Sequence, residues 1–182
     1  MAAIYFDNAA TTFRKPESVY KAVQTAMRTC SSPGRGGYKQ AQSAAAAVYE
    51  VRERAAELFG VSEPENVVLT VNATHGLNIA IKSLVNEGDR VITTGYEHNS
   101  VMRPLKALKA EVKILRTKLF DREEAIRTFA KEIKSLRPKA VIINHVSNVF
   151  GFVQPLEEIA LLCKRHSVPL IIDLSQSAGI LE

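Results

Sequence analysis

The chain of 182 residues is long enough for one ordinary domain or for a large part of a two-domain enzyme, and its 46% hydrophobic and 24% charged residues exclude a disordered protein. Its apolar runs are far short of a membrane span and no basic-then-apolar leader opens it, so we expect a cytoplasmic protein without a membrane partner. The positive net charge of +5 is concentrated between Arg103 and Lys139, where twelve Lys or Arg stand against five Asp or Glu. These charged residues have the spacing of a solvated helix face, and no aromatic residues that could stack on bases lie between them. We therefore expect no nucleic-acid partner.

Residues 1–60 predict two helices and no long strand. Lys15-Pro16-Glu17 is a typical helix start, and this helix is predicted to run to about Thr29. A second helix is predicted over 41–59, where Gly60 ends it. Its apolar residues recur along one face, at Ala44, Val48, Val51, Ala55 and Leu58. We therefore expect 1–60 to be an N-terminal helical arm.

From residue 61 to residue 182 the pattern alternates between strand and helix. The predicted strands are Val67–Val71, Val91–Thr93, Val112–Leu115, Ala140–Ile143 and Leu170–Ile172. Helical stripes follow Leu77 and Pro155, and Asp121 with Glu124 resembles a capping box that opens another helix. This alternation predicts βαβ units, hence an α/β fold with a mostly parallel sheet and flanking helices.

Polar residues follow the strands, at the sheet edge where open α/β sheets bind ligands. After the first strand, Ala73, Thr74 and His75 begin a helix whose free N–H groups are a ready phosphate site, to which Thr74 adds a hydroxyl. The alternative is that Thr74 is a plain N-cap. The chain has no Walker loop and no GxGxxG loop, so a phosphate monoester fits better than a dinucleotide.

Three later strands end in the same manner. His98 can stack on a flat ring or exchange protons, although a lone His is more often structural. Asn148 and Gln176 carry amides that can donate to a ligand oxygen, and a turn Asn is the plain alternative for the first. Asp173 directly follows a buried strand and needs a cationic or hydrogen-bonding partner, unless it only caps the next turn.

Together these residues match the needs of pyridoxal 5'-phosphate. The phosphate needs a helix N-terminus, the pyridine ring a face-on partner, and the phenolic oxygen donors such as Asn148 and Gln176. The ring nitrogen needs an anion such as Asp173. The two cysteines, Cys30 and Cys163, have no metal-ligand spacing, so no metal is expected.

The chain resembles the N-terminal half of the class V aminotransferases and, within them, the cysteine desulfurases. Six motifs carry the resemblance: YFDNAATT at 5–12, SPGRGGYKQAQSA at 32–44, VVLTVNATHGLNIAI at 67–81, GDRVITTGYEHNSVMRPL at 88–105, HVSNVFG at 145–151 and IIDLSQSAG at 171–179. The resemblance implies a fold-type I PLP-dependent enzyme. It also implies that Thr74 holds the phosphate, His98 stacks on the ring and Asp173 pairs with the ring nitrogen, with Asn148 and Gln176 near the phenolic oxygen. His75 departs from the Glu that often follows the Thr in the family.

The resemblance also implies a truncated large domain over 61–182. Beyond the matched motifs lie the family's Schiff-base lysine, persulfide cysteine and carboxylate-binding arginine, so we expect these 182 residues to be an inactive fragment of a desulfurase. The resemblance further implies that the whole enzyme is a homodimer with cysteine as its substrate and a sulfur-acceptor protein as a possible partner. Selenocysteine lyase and class V aminotransferase are alternatives within the family. A non-catalytic binding or dimerisation module is the alternative of another class.

Overall fold

The computed structural model of the chain describes residues 4–8 and 10–181, and the chain divides after Leu69 into two units, Met1–Leu69 and Thr70–Glu182. Ala9 of the YFDNAATT motif lies outside the described residues. The predicted domain boundary after residue 60, between the helical arm and the large domain, stays a prediction. No helix in the described ranges is both long and apolar enough to cross a membrane.

The first unit contains the two predicted helices. Helix α1 spans Glu17–Thr29 directly after Pro16, and helix α2 spans Lys39–Phe59. Gly60 ends α2 with a φ of 63°, a left-handed conformation that glycine adopts without steric cost. Helix α1 buries no residue, and α2 buries only alanines: Ala41, Ala44 and Ala56. The larger apolar residues predicted for one face of α2 are exposed, so periodicity predicted the helix but not its packing.

The second unit is a parallel α/β sheet with helices between its strands. Its elements are α3 (Ala73–Leu84), β1 (Arg90–Thr94), α4 (Asn99–Ala107), β2 (Glu111–Leu115), α5 (Arg122–Leu136), β3 (Ala140–Asn144), α6 (Leu156–Arg165) and β4 (Leu170–Asp173). The strand order is β2-β1-β3-β4, and every recorded pairing is parallel. The predicted α/β class and parallel sheet are confirmed.

Both faces of this sheet are buried. Successive strand residues point to opposite faces, so Val91 packs with Leu77 and Ile81 of α3 and with Val101 and Leu105 of α4. On the other face Ile92, Val141 and Ile143 pack against α5 and α6, with Phe129, Ile133, Ile159 and Cys163 fully or almost fully buried. The near-continuous apolar runs of the strands follow from this two-sided burial.

Two segments differ from the prediction. Val67–Val71 does not form a strand, because no strand in the described residues pairs with it, and Val71 is 85% exposed. An apolar run forms a strand only where a neighbour accepts its hydrogen bonds. Helix α4 was not predicted, because Pro104 lies inside it and proline usually marks a break.

The predicted start of α5 is confirmed, and one of the two hydrogen bonds of its predicted capping box is present. Asp121 Oδ1 accepts a hydrogen bond from Glu124 N at 2.9 Å, as a capping box requires. The return bond of a capping box is replaced, because Glu124 Oε2 accepts from Lys118 N at 3.2 Å. Glu124 therefore fixes the loop before the helix rather than its cap.

Candidate functional site

Helix α3 begins at the edge of the sheet with unused N–H groups. Asn72 is its N-cap, with Oδ1 accepting from His75 N at 2.9 Å, so Thr74 is not the cap. The N–H of Gly76 donates to the Asn72 carbonyl at 3.1 Å. Within the described residues the N–H groups of Ala73 and Thr74 have no partner, and both face the positive end of the helix dipole. This first turn can bind an anion, although the N–H of His75 is already used.

His98 is held rigidly at the start of α4. It is the N-cap residue, and its Nδ1 accepts from Ser100 N at 3.1 Å and lies 2.9 Å from Ser100 Oγ. Because Nδ1 accepts a backbone hydrogen bond, the neutral ring carries its proton on Nε2. Thr74 and His98 line one groove between α3 and α4, together with Asn78 and Arg103. The structure thus brings the predicted phosphate residue and the predicted ring-stacking residue together.

Asp173 ends β4 and is 9% exposed. Its Oδ1 accepts from Ser175 N at 3.0 Å and from Ser175 Oγ at 2.5 Å, so it does cap the turn after the strand. Its Oδ2 makes no hydrogen bond within the described residues and is available to a ligand. Asp173 lines a second groove with Ala73 and Gly76 of α3, so the first turn of α3 borders both grooves.

The two predicted amide residues lie in turns. Asn148 is exposed in the turn 147–152, where Ser147 N donates to Phe152 O at 3.0 Å and Ser147 Oγ accepts from two backbone N–H groups. Gln176 is partly buried in the turn after β4. Neither lines the two grooves described above. Their roles toward a ligand stay predictions.

An aromatic cluster anchors the turn that carries Asn148. The ring of Tyr96 lies edge-on to those of Phe150 and Phe152, at centroid distances of 6.0 and 5.7 Å. Phe120 lies edge-on to Phe152 at 5.5 Å, and Tyr96 Oη donates to Thr117 O. Such pairs add stability beyond the area they bury. The cluster fixes the turn 147–152 against the end of β1.

Sequence reasoning missed Glu97. Thr94 Oγ1 donates to Glu97 Oε1 at 2.5 Å, and Oε2 is buried without a partner in the described part of the chain. Burial raises the pKa of Glu97 to about 7, the Thr94 hydrogen bond opposes the shift, and the charge of Asp173 adds to it. The available signal was position, because Glu97 follows a buried strand just as Asp173 does.

Asn144 was also missed. It ends β3 in register with Asp173, so both side chains share one face of the sheet. Its Nδ2 donates to Tyr96 O at 2.7 Å, while its Oδ1 is buried without a partner in the described residues. Gln154, 2% exposed, likewise leaves both polar atoms of its amide unpaired there. Unpaired buried polar atoms are costly and mark sites of function more often than sites of packing.

Comparisons with known proteins match almost the whole chain. The sequence model of the family described as "Aminotransferase class-V" matches residues 4–181. A probable cysteine desulfurase from Synechocystis sp. is 31% identical over 182 residues, which cover 96% of this chain and 43% of that protein. The apo structure of a cysteine desulfurase from Thermococcus onnurineus NA1 is 30% identical, with a TM-score of 0.83 over 97% of this chain and 45% of that one.

A third relative contains a cofactor. The structure of a C-DES mutant with glycine covalently linked to the PLP cofactor is 25% identical, with a TM-score of 0.80 over 94% of this chain and 46% of that chain. In each of these comparisons the chain spans less than half the length of the protein that it matches.

Proposed function

Because the chain belongs to the class-V aminotransferase family, we propose that it is the N-terminal part of a pyridoxal 5'-phosphate-dependent cysteine desulfurase-like enzyme that releases sulfur from L-cysteine. One observation carries the proposal. The first turn of α3, with two unused N–H groups, borders both the groove of His98 and the groove of the buried Asp173 carboxylate. The first turn of α3 is an anion site, His98 supplies a flat ring, and Asp173 supplies a buried carboxylate.

These residues fit the cofactor. Ala73 and Thr74 would hold its phosphate through their N–H groups, the Thr74 hydroxyl and the dipole of α3. His75 follows them in the chain, and its N–H stays with Asn72. When bound, the cofactor would supply an electron sink for negative charge that develops on the substrate.

His98 would hold the face of the ring, and Asp173 would hold the ring nitrogen. Both side chains are pre-oriented by a serine two residues later: Ser100 fixes the imidazole and Ser175 fixes one carboxylate oxygen. A carboxylate at 9% exposure interacts with a protonated ring nitrogen more strongly than one in water does, because solvent screening is weak there. Asn148 and Gln176 complete the set as donors to the phenolic oxygen.

The desulfurase activity is favoured over its alternatives by the relatives at 30% identity or more, which are named as cysteine desulfurases. Solved aminotransferases of 19% and 21% identity share the fold only. We further propose a cytoplasmic homodimer that passes sulfur to an acceptor protein.

The test is an assay of the protein encoded by the whole reading frame that contains these residues. In the presence of pyridoxal 5'-phosphate and an added thiol reductant, L-cysteine should yield alanine and sulfur at the oxidation level of a persulfide, which the thiol reduces to sulfide. Selenocysteine and a panel of amino donors serve as comparison substrates. Exclusive transamination would contradict the proposal. A reading frame that ends after codon 182 would favour the non-catalytic module.

The 182-residue polypeptide on its own should retain the cofactor weakly or not at all and release no sulfur, because the family resemblance places the Schiff-base lysine outside these residues. Borohydride reduction in the presence of pyridoxal 5'-phosphate, followed by mass spectrometry, measures this. A stoichiometric adduct on one lysine, together with sulfide from cysteine, would show that the 182 residues suffice.

A further inference from the structure

Three polar side chains stand side by side at the carboxyl ends of neighbouring strands. Glu97 follows β1, Asn144 ends β3 and Asp173 ends β4. Because β3 lies between β1 and β4, Asn144 stands between two carboxyl groups. Its Nδ2 bonds the carbonyl of Tyr96, the residue before Glu97, and its backbone is in register with Asp173.

The hydrogen bonds of this row are incomplete. The Thr94 hydroxyl accepts from Tyr96 N at 3.2 Å and therefore gives its own proton to Glu97 Oε1. Glu97 Oε2 and Asn144 Oδ1 are both buried, and neither has a donor in the described residues. An ionised Glu97 would leave two buried acceptor oxygens without a donor in one row, which is costly. A proton on Oε2 turns one of these acceptors into a donor.

We propose that Glu97 is a positioning residue of the cofactor site, which holds a proton on Oε2 up to about neutral pH so that Asp173 is the carboxylate that faces the cofactor with its negative charge. The inference rests on the proposed function for its reference to the cofactor. The pKa of Glu97, raised to about 7 chiefly by burial, agrees with the hydrogen-bond count.

Burial is the main cause of the raised pKa of Glu97, and the charge of Asp173 on β4 adds to it, whereas the hydrogen bond from Thr94 on β1 and the backbone of Asn144 on β3 lower it. His98 and His145 follow Glu97 and Asn144 directly in the sequence. Protonated Glu97 leaves Asp173 as the negative charge of this row, and ionisation of Glu97 at higher pH would add a second one and change the field at the ring nitrogen.

The first experiment needs no cofactor. In the ¹³C-labelled 182-residue chain, the Glu97 carboxyl resonance is assigned by its loss in Glu97→Gln and is followed by NMR from about pH 4 to pH 9. The midpoint should lie near 7. It should fall by about one unit in Asp173→Asn, which removes the like charge, and rise in Thr94→Val, which removes the hydroxyl donor.

Exposed Glu87, which pairs with Lys109 and lies outside this row, is the matched control and is followed in every variant. A Glu97 midpoint in the usual range of glutamate, or one that Asp173→Asn leaves unchanged, overturns the inference.

The second experiment uses the cofactor-loaded protein of the whole reading frame. The absorbance of the bound cofactor should change with pH between about 6 and 8, and Glu97→Gln, which mimics the protonated acid, should extend the low-pH spectrum to higher pH. A spectrum whose pH dependence is the same in both proteins overturns the coupling. Failure of the whole protein to bind cofactor overturns the proposed function and the role of Glu97 toward the ring nitrogen, whereas the carboxyl titration still decides where the proton lies.

Discussion

The middle of the sheet and its carboxyl edge are built from the same strands on opposite principles. In the middle, β1 and β3 bury apolar residues on both faces, and Phe129, Ile142 and Ile143 are fully buried. At the edge, the same two strands lead into Glu97 and Asn144, each with a buried oxygen that lacks a partner in the described residues. The middle buries apolar side chains apart from the Thr93 hydroxyl, which also lacks a partner in the described residues, whereas the edge gathers several polar groups, whose burial is costly.

The largest expected effect tests the edge. In the protein of the whole reading frame, Asp173→Ala removes the carboxylate that we propose for the ring nitrogen and should lower the turnover rate by several orders of magnitude, at several kcal/mol. Steady-state assays with L-cysteine measure this. Ser175→Ala removes only the hydroxyl donor to Asp173 Oδ1, leaves its backbone donor, and should cost much less. Near-normal turnover in Asp173→Ala would reduce Asp173 to a turn cap.

The second effect tests the middle. Phe129→Ala leaves a cavity between α5 and the sheet and should lower the free energy of unfolding by about 4 kcal/mol. Phe59 in α2 is 51% exposed, so Phe59→Ala should cost less than about 1 kcal/mol. Urea unfolding of both variants measures the difference. Equal losses would show that the sheet interior is no better packed than the surface of α2.

The third effect is the pH dependence of the free energy of unfolding that arises from Glu97. The pKa of Glu97 lies above its ordinary value of 4.5, at about 7, so between these values the unfolded chain ionises Glu97 while the folded chain keeps the proton. Stability therefore falls as pH rises through this window and levels off above it, by up to about 3 kcal/mol from this group. Glu97→Gln removes this contribution.

The difference in unfolding free energy between Glu97→Gln and the native chain should accordingly grow from about pH 4.5 to pH 7. The exposed substitution Glu87→Gln provides the baseline. A difference that does not vary with pH would mean that Glu97 ionises alike in the folded and unfolded chains.

The predictability of the two regions differs for a physical reason. Phe129 and Ile133 recur at helical spacing and Ile142 sits in an apolar run, so local patterns predict the sheet interior. Asp173 and His98 were found because each ends or follows a buried strand. Val67–Val71 has the pattern of a strand but no neighbour in the described residues, which no local pattern reveals.

Glu97 and the helix cap were hidden for a different reason. A glutamate in a loop is normally exposed, and its burial depends on Thr94 and on elements distant in sequence. Asn72 and Thr74 are both good capping residues two positions apart, and only the backbone decides between them: Asn72 is extended, with a φ of −165°, whereas Thr74 is already helical.

The smallest expected effect separates two roles of the first turn of α3, which are helix capping and phosphate binding. Asn72→Ala removes the acceptor for His75 N and should lower the free energy of unfolding by about 1 kcal/mol, the usual value of an N-cap. Thr74→Ala removes a hydroxyl that makes no hydrogen bond within the described residues, so it should change stability by less than about 0.5 kcal/mol. If the Thr74 hydroxyl binds the phosphate as proposed, the order should reverse in the cofactor-loaded protein: cofactor affinity should fall more in Thr74→Ala than in Asn72→Ala. Thermal unfolding and cofactor titration of the two variants measure both orders.

The control is Asn86→Ala, at an exposed asparagine after α3 whose side chain makes no hydrogen bond in the described residues. A larger stability loss in Thr74→Ala than in Asn72→Ala would make Thr74 a structural residue of the helix rather than the phosphate anchor.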